Sequence, residues 1–157
     1  MKGLEMEFNT AFGFVPIDKR RTISKPRKSG ITMVSDYQLG LASLSDLIEV
    51  AGHYIDLFKI ATGTSRLFEK THLQAKIEML RANDIRPFLG GQFQEYVLHT
   101  MGVNAMPQHL SEAQALGFDI IEISDNMVQL GQGLRQQLFD MVRDQGMNPV
   151  GEIGDKR

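Results

Sequence analysis

The chain contains no cysteine and no tryptophan. Without thiols it has no disulfide framework, thiolate metal site or cysteine nucleophile, and it suits a reducing compartment. Neither sign of charge dominates: 17 Lys+Arg stand against 19 Asp+Glu, a net charge of −2. Duplex-binding domains are strongly basic, so nucleic acid is not expected as a partner. No apolar run approaches the roughly 18 residues of a membrane span, and Glu5, Glu7 and Asn9 interrupt any signal-peptide core. These absences point to a cytoplasmic globular chain. Its 157 residues, 42% apolar and 23% charged, suffice for one domain with a buried core.

Two regions differ in character. Residues 1–29 carry Lys19, Arg20, Arg21, Lys25, Arg27 and Lys28 close to Pro16 and Pro26, which reads as an extended, solvated arm. From residue 30 to 157 one unit recurs: a short apolar run, a glycine-bearing or polar loop, then an amphipathic stretch. The runs Ile31–Ser35, Tyr54–Ile60, Ile85–Leu89, Asp119–Ile123 and Asn148–Ile153 are predicted strands. Between them the spacings of Leu44, Leu47, Ile48 and Ala51, of Leu73, Ile77 and Leu80, and of Leu134, Leu138, Met141 and Val142 place apolar side chains on one helical face. Pro107 is expected to divide Gln94–Leu116 into two short helices. Gly52, Asn83, Gly117 and Gly146 stand where left-handed helix caps belong.

Strand–loop–helix alternation implies a parallel sheet, either an open doubly wound one or a (β/α)8 barrel of the TIM type. No GxGxxG or GxxxxGK[ST] motif follows the first strand, which disfavours a nucleotide-binding open sheet. Alternate strand residues share a face. If the β-branched and aromatic faces lie under the helices, Asp36, Lys59, Glu122, Glu152 and Lys156 all point inward near the C-terminal strand ends, where barrel enzymes assemble their chemistry. A salt-bridged plug would also use such residues. Several charges clustered at one end, however, cost more desolvation than Val or Leu would for the same packing. Gly63-Thr64-Ser65 and Gly90-Gly91 follow the second and third strands and suit an anion, through backbone N–H groups, hydroxyls and close backbone approach.

Other chemistries lack their residues. His53, His72, His99 and His109 show no i,i+3 or i,i+4 pairing, and no serine sits in a GxSxG elbow. What remains is a carboxylate-rich oxygen site suited to Mg2+, with a lysine able to move a proton.

The ordered segments Lys25–Val34, Asp36 with Leu39-Gly40, Ala51–Lys59, Gly63-Thr64-Ser65, Gly90-Gly91, Leu116–Asp125 and Gly151–Gly154 with Lys156 resemble the phosphosulfolactate synthase family. The resemblance implies a (β/α)8 barrel catalysing Mg2+-dependent addition of sulfite to phosphoenolpyruvate. The product is (2R)-phospho-3-sulfolactate, in methanogens the first step toward coenzyme M. Lys156 matches the family's acid lysine. Asp36, Glu122 and Glu152 are candidates for metal binding, with Glu122 also catalytic. Lys59, Thr64, Ser65, Gly90 and Gly91 are candidates for binding the anions. The family's FGxGTS-like and PGGT-like segments stand here as Ile60–Ser65 and Leu89–Gln92, and Asn126 replaces a usual glycine. Such changes around the site keep open another barrel lyase or aldolase on a small phosphorylated carboxylate, or a non-catalytic stress-associated or truncated homologue. A barrel needs roughly 200 residues or more. About five units leave unpaired sheet edges, so an incomplete barrel that associates with further copies of itself is expected.

Overall fold

The computed structural model describes residues 11–16, 18, 20, 22, 24–152 and 154. Five strands, β1 (Met33–Asp36), β2 (Leu57–Ile60), β3 (Arg86–Leu89), β4 (Ile120–Ser124) and β5 (Asn148–Glu152), alternate with helices. The helices are α1 (Leu41–Ala51), α2 (Lys70–Ala82), α3 (Gly91–Met101), α4 (Met106–Leu116) and α5 (Gln132–Asp144). The strands pair in parallel in the order β1-β2-β3-β4-β5. That order never reverses, so the sheet lacks the switch point of a doubly wound fold and has the winding of a partial TIM-type barrel. The β2 run is shorter than expected because Gly52–Tyr54 closes a 3-10 turn. Two helices do lie between β3 and β4, but Gly102 at φ 77° makes the break and Pro107 opens α4. Of the four expected left-handed caps, Gly117 and Gly146 take positive φ, whereas Gly52 and Asn83 do not.

Strand register divides the side chains between two faces. Val34 aligns with Phe58, and Asp36 with Ile60 and then Leu89. Leu89 aligns with Ile121. This face packs on Leu44, Leu73, Ile77, Leu80, Leu110, Leu138 and Val142 to form the main core. The opposite face carries Ser35, Lys59, Phe88, Ile120, Glu122, Ser124 and Glu152. Asp36 therefore lies under the helices, not beside Lys59 and Glu122 as the strand pattern predicts. Its charge is met there by Lys76 of α2, which donates to Asp36 Oδ2 and to Leu39 O at 2.7 Å. Both side chains are fully buried. Asp36 Oδ1 accepts the N–H groups of Gln38 and Leu39, and Lys76 Nζ lies over the Phe68 ring, 4.7 Å from its centre. Both oxygens of Asp36 and the Lys76 ammonium are thus hydrogen-bonded, as a buried ion pair requires.

The end where the strands begin is closed by part of the basic arm. Lys25 Nζ donates to Gly52 O at 2.7 Å, and to Asn83 O and Asp84 O at 3.2 and 3.3 Å. Burial lowers its pKa. Arg27 Nε bonds both oxygens of Asp56, whose Oδ2 also accepts Thr32 N–H. The Arg27 and Asp56 side chains are only 6% and 7% exposed. This stretch is docked, in contrast to the solvated arm that its charge run predicts.

Two stability predictions follow from these buried groups. Replacing Lys76 with Met leaves Asp36 buried without its counter-charge and should lower unfolding free energy by about 3–5 kcal/mol, read from urea midpoints. His109 of α4 is held neutral, its pKa lowered to about 4 by burial. The unfolded chain gains this proton near pH 6.5 and the folded one only near 4, so the histidine's contribution is complete above 6.5 and disappears on acidification to about 4. Wild type should lose about 3 kcal/mol more than His109→Gln across that interval, measured by denaturant titrations at successive pH values.

Candidate active site

Lys59 at the end of β2 and Glu122 in β4 belong to the face opposite the core. Lys59 Nζ donates to Glu122 Oε1 at 2.7 Å, and the side chains are 14% and 6% exposed. The second carboxylate oxygen of Glu122 accepts Gly91 N–H, the first amide of α3, at 2.6 Å. Glu122 thus joins β2, β4 and the start of α3 through two charge-assisted bonds. Lys59 retains two donors with no bond among the described residues, and its ammonium stands 5.6 Å from the centre of the Phe88 ring.

Gly90 and Gly91 make this crowding possible. A Cβ on Gly90 would lie 3.0 Å from Ile60 O and 3.2 Å from Lys59 Cε. On Gly91 it would lie 2.6 Å from Ser124 Oγ, 2.8 Å from Ser124 Cβ and 3.0 Å from Glu122 Cγ. The close approach expected at these glycines is therefore made by the protein's own side chains.

A second carboxylate, Glu95 of α3, secures the loop after β4. It accepts Ser124 Oγ–H on Oε1, and the N–H groups of Met127 and Val128 on Oε2 at 2.6 and 2.8 Å. Within that loop Asn126 Nδ2 donates to Glu152 Oε2 of β5 at 2.7 Å. Asn126 Oδ1 is buried and has no partner among the described residues. Glu95, Ser124, Asn126 and Lys76 are absent from the sequence-based site. Each does its work through a partner 26 to 40 residues away, which periodicity does not reveal.

The Gly63-Thr64-Ser65 loop is arranged differently from an anion cradle. Thr64 donates its hydroxyl and its N–H to Ala61 O, and Arg66 N–H is taken by Gly63 O. Ser65 Oγ is buried and has no hydrogen-bond partner among the described residues. A cleft of about 630 Å³ opens between this loop, α3 and the loop after β4, lined by Arg66, Gln92, Tyr96, His99 and Met127. Lys59, Glu122, Gly90 and Gly91 are brought together, with Glu152 reached through Asn126. Asp36 and Ser65 are not, and Lys156 lies outside the described residues.

Two of the three carboxylates that the family resemblance offers to magnesium are already engaged by the protein. Both oxygens of Asp36 and both of Glu122 are already bonded to protein donors. Among the described residues no group of three or more His, Asp or Glu could hold a metal ion.

A parallel strand-and-helix order with charge gathered at the C-terminal ends agrees with what sequence comparison finds. The model of the (2R)-phospho-3-sulfolactate synthase (ComA) family matches residues 20–157. The chain belongs to the phosphosulfolactate synthase family. It is 36% identical over 132 residues to the phosphosulfolactate synthase of Methanothermobacter thermautotrophicus, covering 84% of this chain and 50% of that protein. It is 30% identical over 127 residues to that of Methanocaldococcus jannaschii, covering 81% and 49%. A more distant relative is Protein HEAT-STRESS-ASSOCIATED 32 of Arabidopsis thaliana, 25% identical over 126 residues and covering 78% and 43%. The chain spans about half the length of the two synthases. No helix among the described residues is long and apolar enough to cross a membrane.

The packing at α3 gives a direct check. Gly91→Ala should cost on the order of 1–3 kcal/mol of stability, because the new methyl meets β4 side chains below contact distance. Gly133→Ala in α5 meets nothing within 4 Å and should stabilise by roughly 0.5–1 kcal/mol. Thermal unfolding of the two variants separates local crowding from a general effect of alanine.

Proposed function

We propose that this chain is a carbon–sulfur lyase of the phosphosulfolactate synthase type, joining sulfite to phosphoenolpyruvate to form (2R)-phospho-3-sulfolactate. The reading is carried by the Lys59–Glu122 pair at the C-terminal strand ends of a chain of this family. In the reaction the sulfur lone pair bonds to the methylene carbon. The C=C electron pair moves to the neighbouring carbon and onto its carboxylate, and that carbon then takes a proton. No other group leaves, so the addition balances.

Lys59 supports this chemistry through the two N–H donors that Glu122 leaves available. An ammonium aimed at the substrate carboxylate strengthens its hold as charge builds there, the kind of interaction that lowers a barrier. Glu122 acts as a positioning residue: it fixes the Lys59 head group and is itself fixed by Gly91 N–H. Proton delivery is assigned to Lys156 through the family resemblance. Glu152, held by Asn126, is the second carboxylate assigned to the site. No step is assigned to Mg2+.

A phosphate needs more donors than Lys59 alone supplies. The outer edges of β1 and β5 have no strand partner among the described residues. A second copy seated there is the proposed source of further contacts and of a closed sheet.

The test is product formation from phosphoenolpyruvate and sulfite, with Mg2+ or a chelator present, alongside sedimentation at the same protein concentrations. Lys59→Met should lower kcat/KM by about 100-fold or more, as expected for a lost transition-state contact of about 3 kcal/mol. Lys156→Ala should reduce kcat with less change in KM. Near-normal turnover by Lys59→Met would overturn its role. Absence of product under every condition would overturn the activity and favour the reading as a non-catalytic relative.

A further inference from the structure

In the helix layer, α2, α3, α4 and the 3-10 turn Thr64–Leu67 surround a cavity of about 430 Å³. Leu89, on the helix-covered face of the sheet, contributes to its floor, and neither Lys59 nor Glu122 borders it. The upper walls keep apolar surface that solvent still reaches. Phe68, Phe93, Ala105 and Leu116 are half-buried, and Met101 is 65% exposed. A ligand seated there covers these side chains, and the volume falls within the range of small-molecule sites.

Few charged groups stand around the opening. Lys70 is paired with Glu112 at 2.9 Å, so their charges cancel. Burial keeps His109 uncharged, its pKa lowered to about 4. Arg66 is exposed on the turn between β2 and α2, and its side chain has no hydrogen bond or ion pair among the described residues. It therefore leaves a single unmatched positive charge beside an apolar wall.

That combination selects its partner. A guanidinium holds a carboxylate through two parallel N–H···O bonds. One negative charge balances Arg66, whereas a dianion would bring excess charge against apolar surface. Glu112, already paired, is the one carboxylate bordering the cavity among the described residues, so repulsion of an anion is slight.

We propose that the cavity between α2, α3 and α4 binds a medium-length aliphatic monocarboxylate, with its hydrocarbon tail against Phe68, Phe93 and Met101 and its carboxylate on Arg66. The proposal does not depend on the chemistry at Lys59.

Octanoate, butanoate and octylammonium are the probes: the first two share a head group, and the first and third share a tail. The full chain, labelled with 13C at the methionine methyl groups, is titrated with each. Met101 borders this cavity, whereas Met127 borders the cleft that Arg66 also lines, so the two resonances tell the spaces apart. Octanoate should shift Met101 saturably and bind at least about tenfold more tightly than butanoate, since each buried methylene adds roughly fourfold. It should exceed octylammonium by about fivefold or more, the scale of an exposed ion pair. Arg66→Glu should reverse the order of octanoate and octylammonium. Ala105→Phe, which fills the cavity from a half-buried position, should weaken both. Equal affinity for octanoate and butanoate, or for octanoate and octylammonium, would overturn the proposal. So would an unchanged preference in Arg66→Glu, a shift confined to Met127, or no saturable response. Should Ala105→Phe fail to fold, Arg66→Glu decides the matter, since it alters an exposed side chain without a partner.

Discussion

A carboxylate removed from water must find donors for both oxygens, and Glu122 meets that demand in a way that organises one whole end of the molecule. One oxygen takes the Lys59 ammonium from β2 and the other takes the first amide of α3. Removing either donor would leave a nearly buried charge short of a partner, which is why the geometry is tightly determined. The bare backbone at Gly90 and Gly91 is a consequence. Helix α3 reaches the carboxylate only by passing against Ser124 and the Lys59 stem at distances that exclude a side chain.

Glu95 extends the same logic by one layer. It converts a loop with few apolar anchors into a held structure by accepting three donors from Ser124, Met127 and Val128. The Asn126 amide then meets Glu152 on the last strand. Three strands, β2, β4 and β5, are thereby referred to one end through side-chain bonds, in addition to the backbone ladder. The resulting arrangement presents a lysine with spare donors, the feature on which the proposed chemistry draws.

Much of the architecture was legible before any coordinates, for a physical reason: helix and strand periods differ, and the five apolar runs alternate cleanly with helical spacings. Opposite charges on the second and fourth runs also signalled a meeting point, and Lys59 does bond Glu122. Asp36 departs from the strand pattern because its charge is met beneath the helices. Inward and outward are decided in a four-residue strand by one parity choice, and a charged residue is tolerated beneath helices when another element brings its counter-charge. Lys76, 40 residues later, looks in sequence like an ordinary helical lysine. The same blindness to distant partners hides Glu95, whose donors lie 29 to 33 residues away. Arg27 belongs to a run of positive charge that reads as hydrated, and its docking depends on Asp56, 29 residues away.

The bonds of Lys25 and Arg27 with Gly52, His53, Asp56, Asn83 and Asp84 fasten the molecule at the pole remote from Lys59. Cohesion and chemistry are consequently lodged at opposite poles. Mutational drift among the residues facing a reactant can proceed without loosening this clasp, so a lineage is free to trade one specificity for another while inheriting the same foundation.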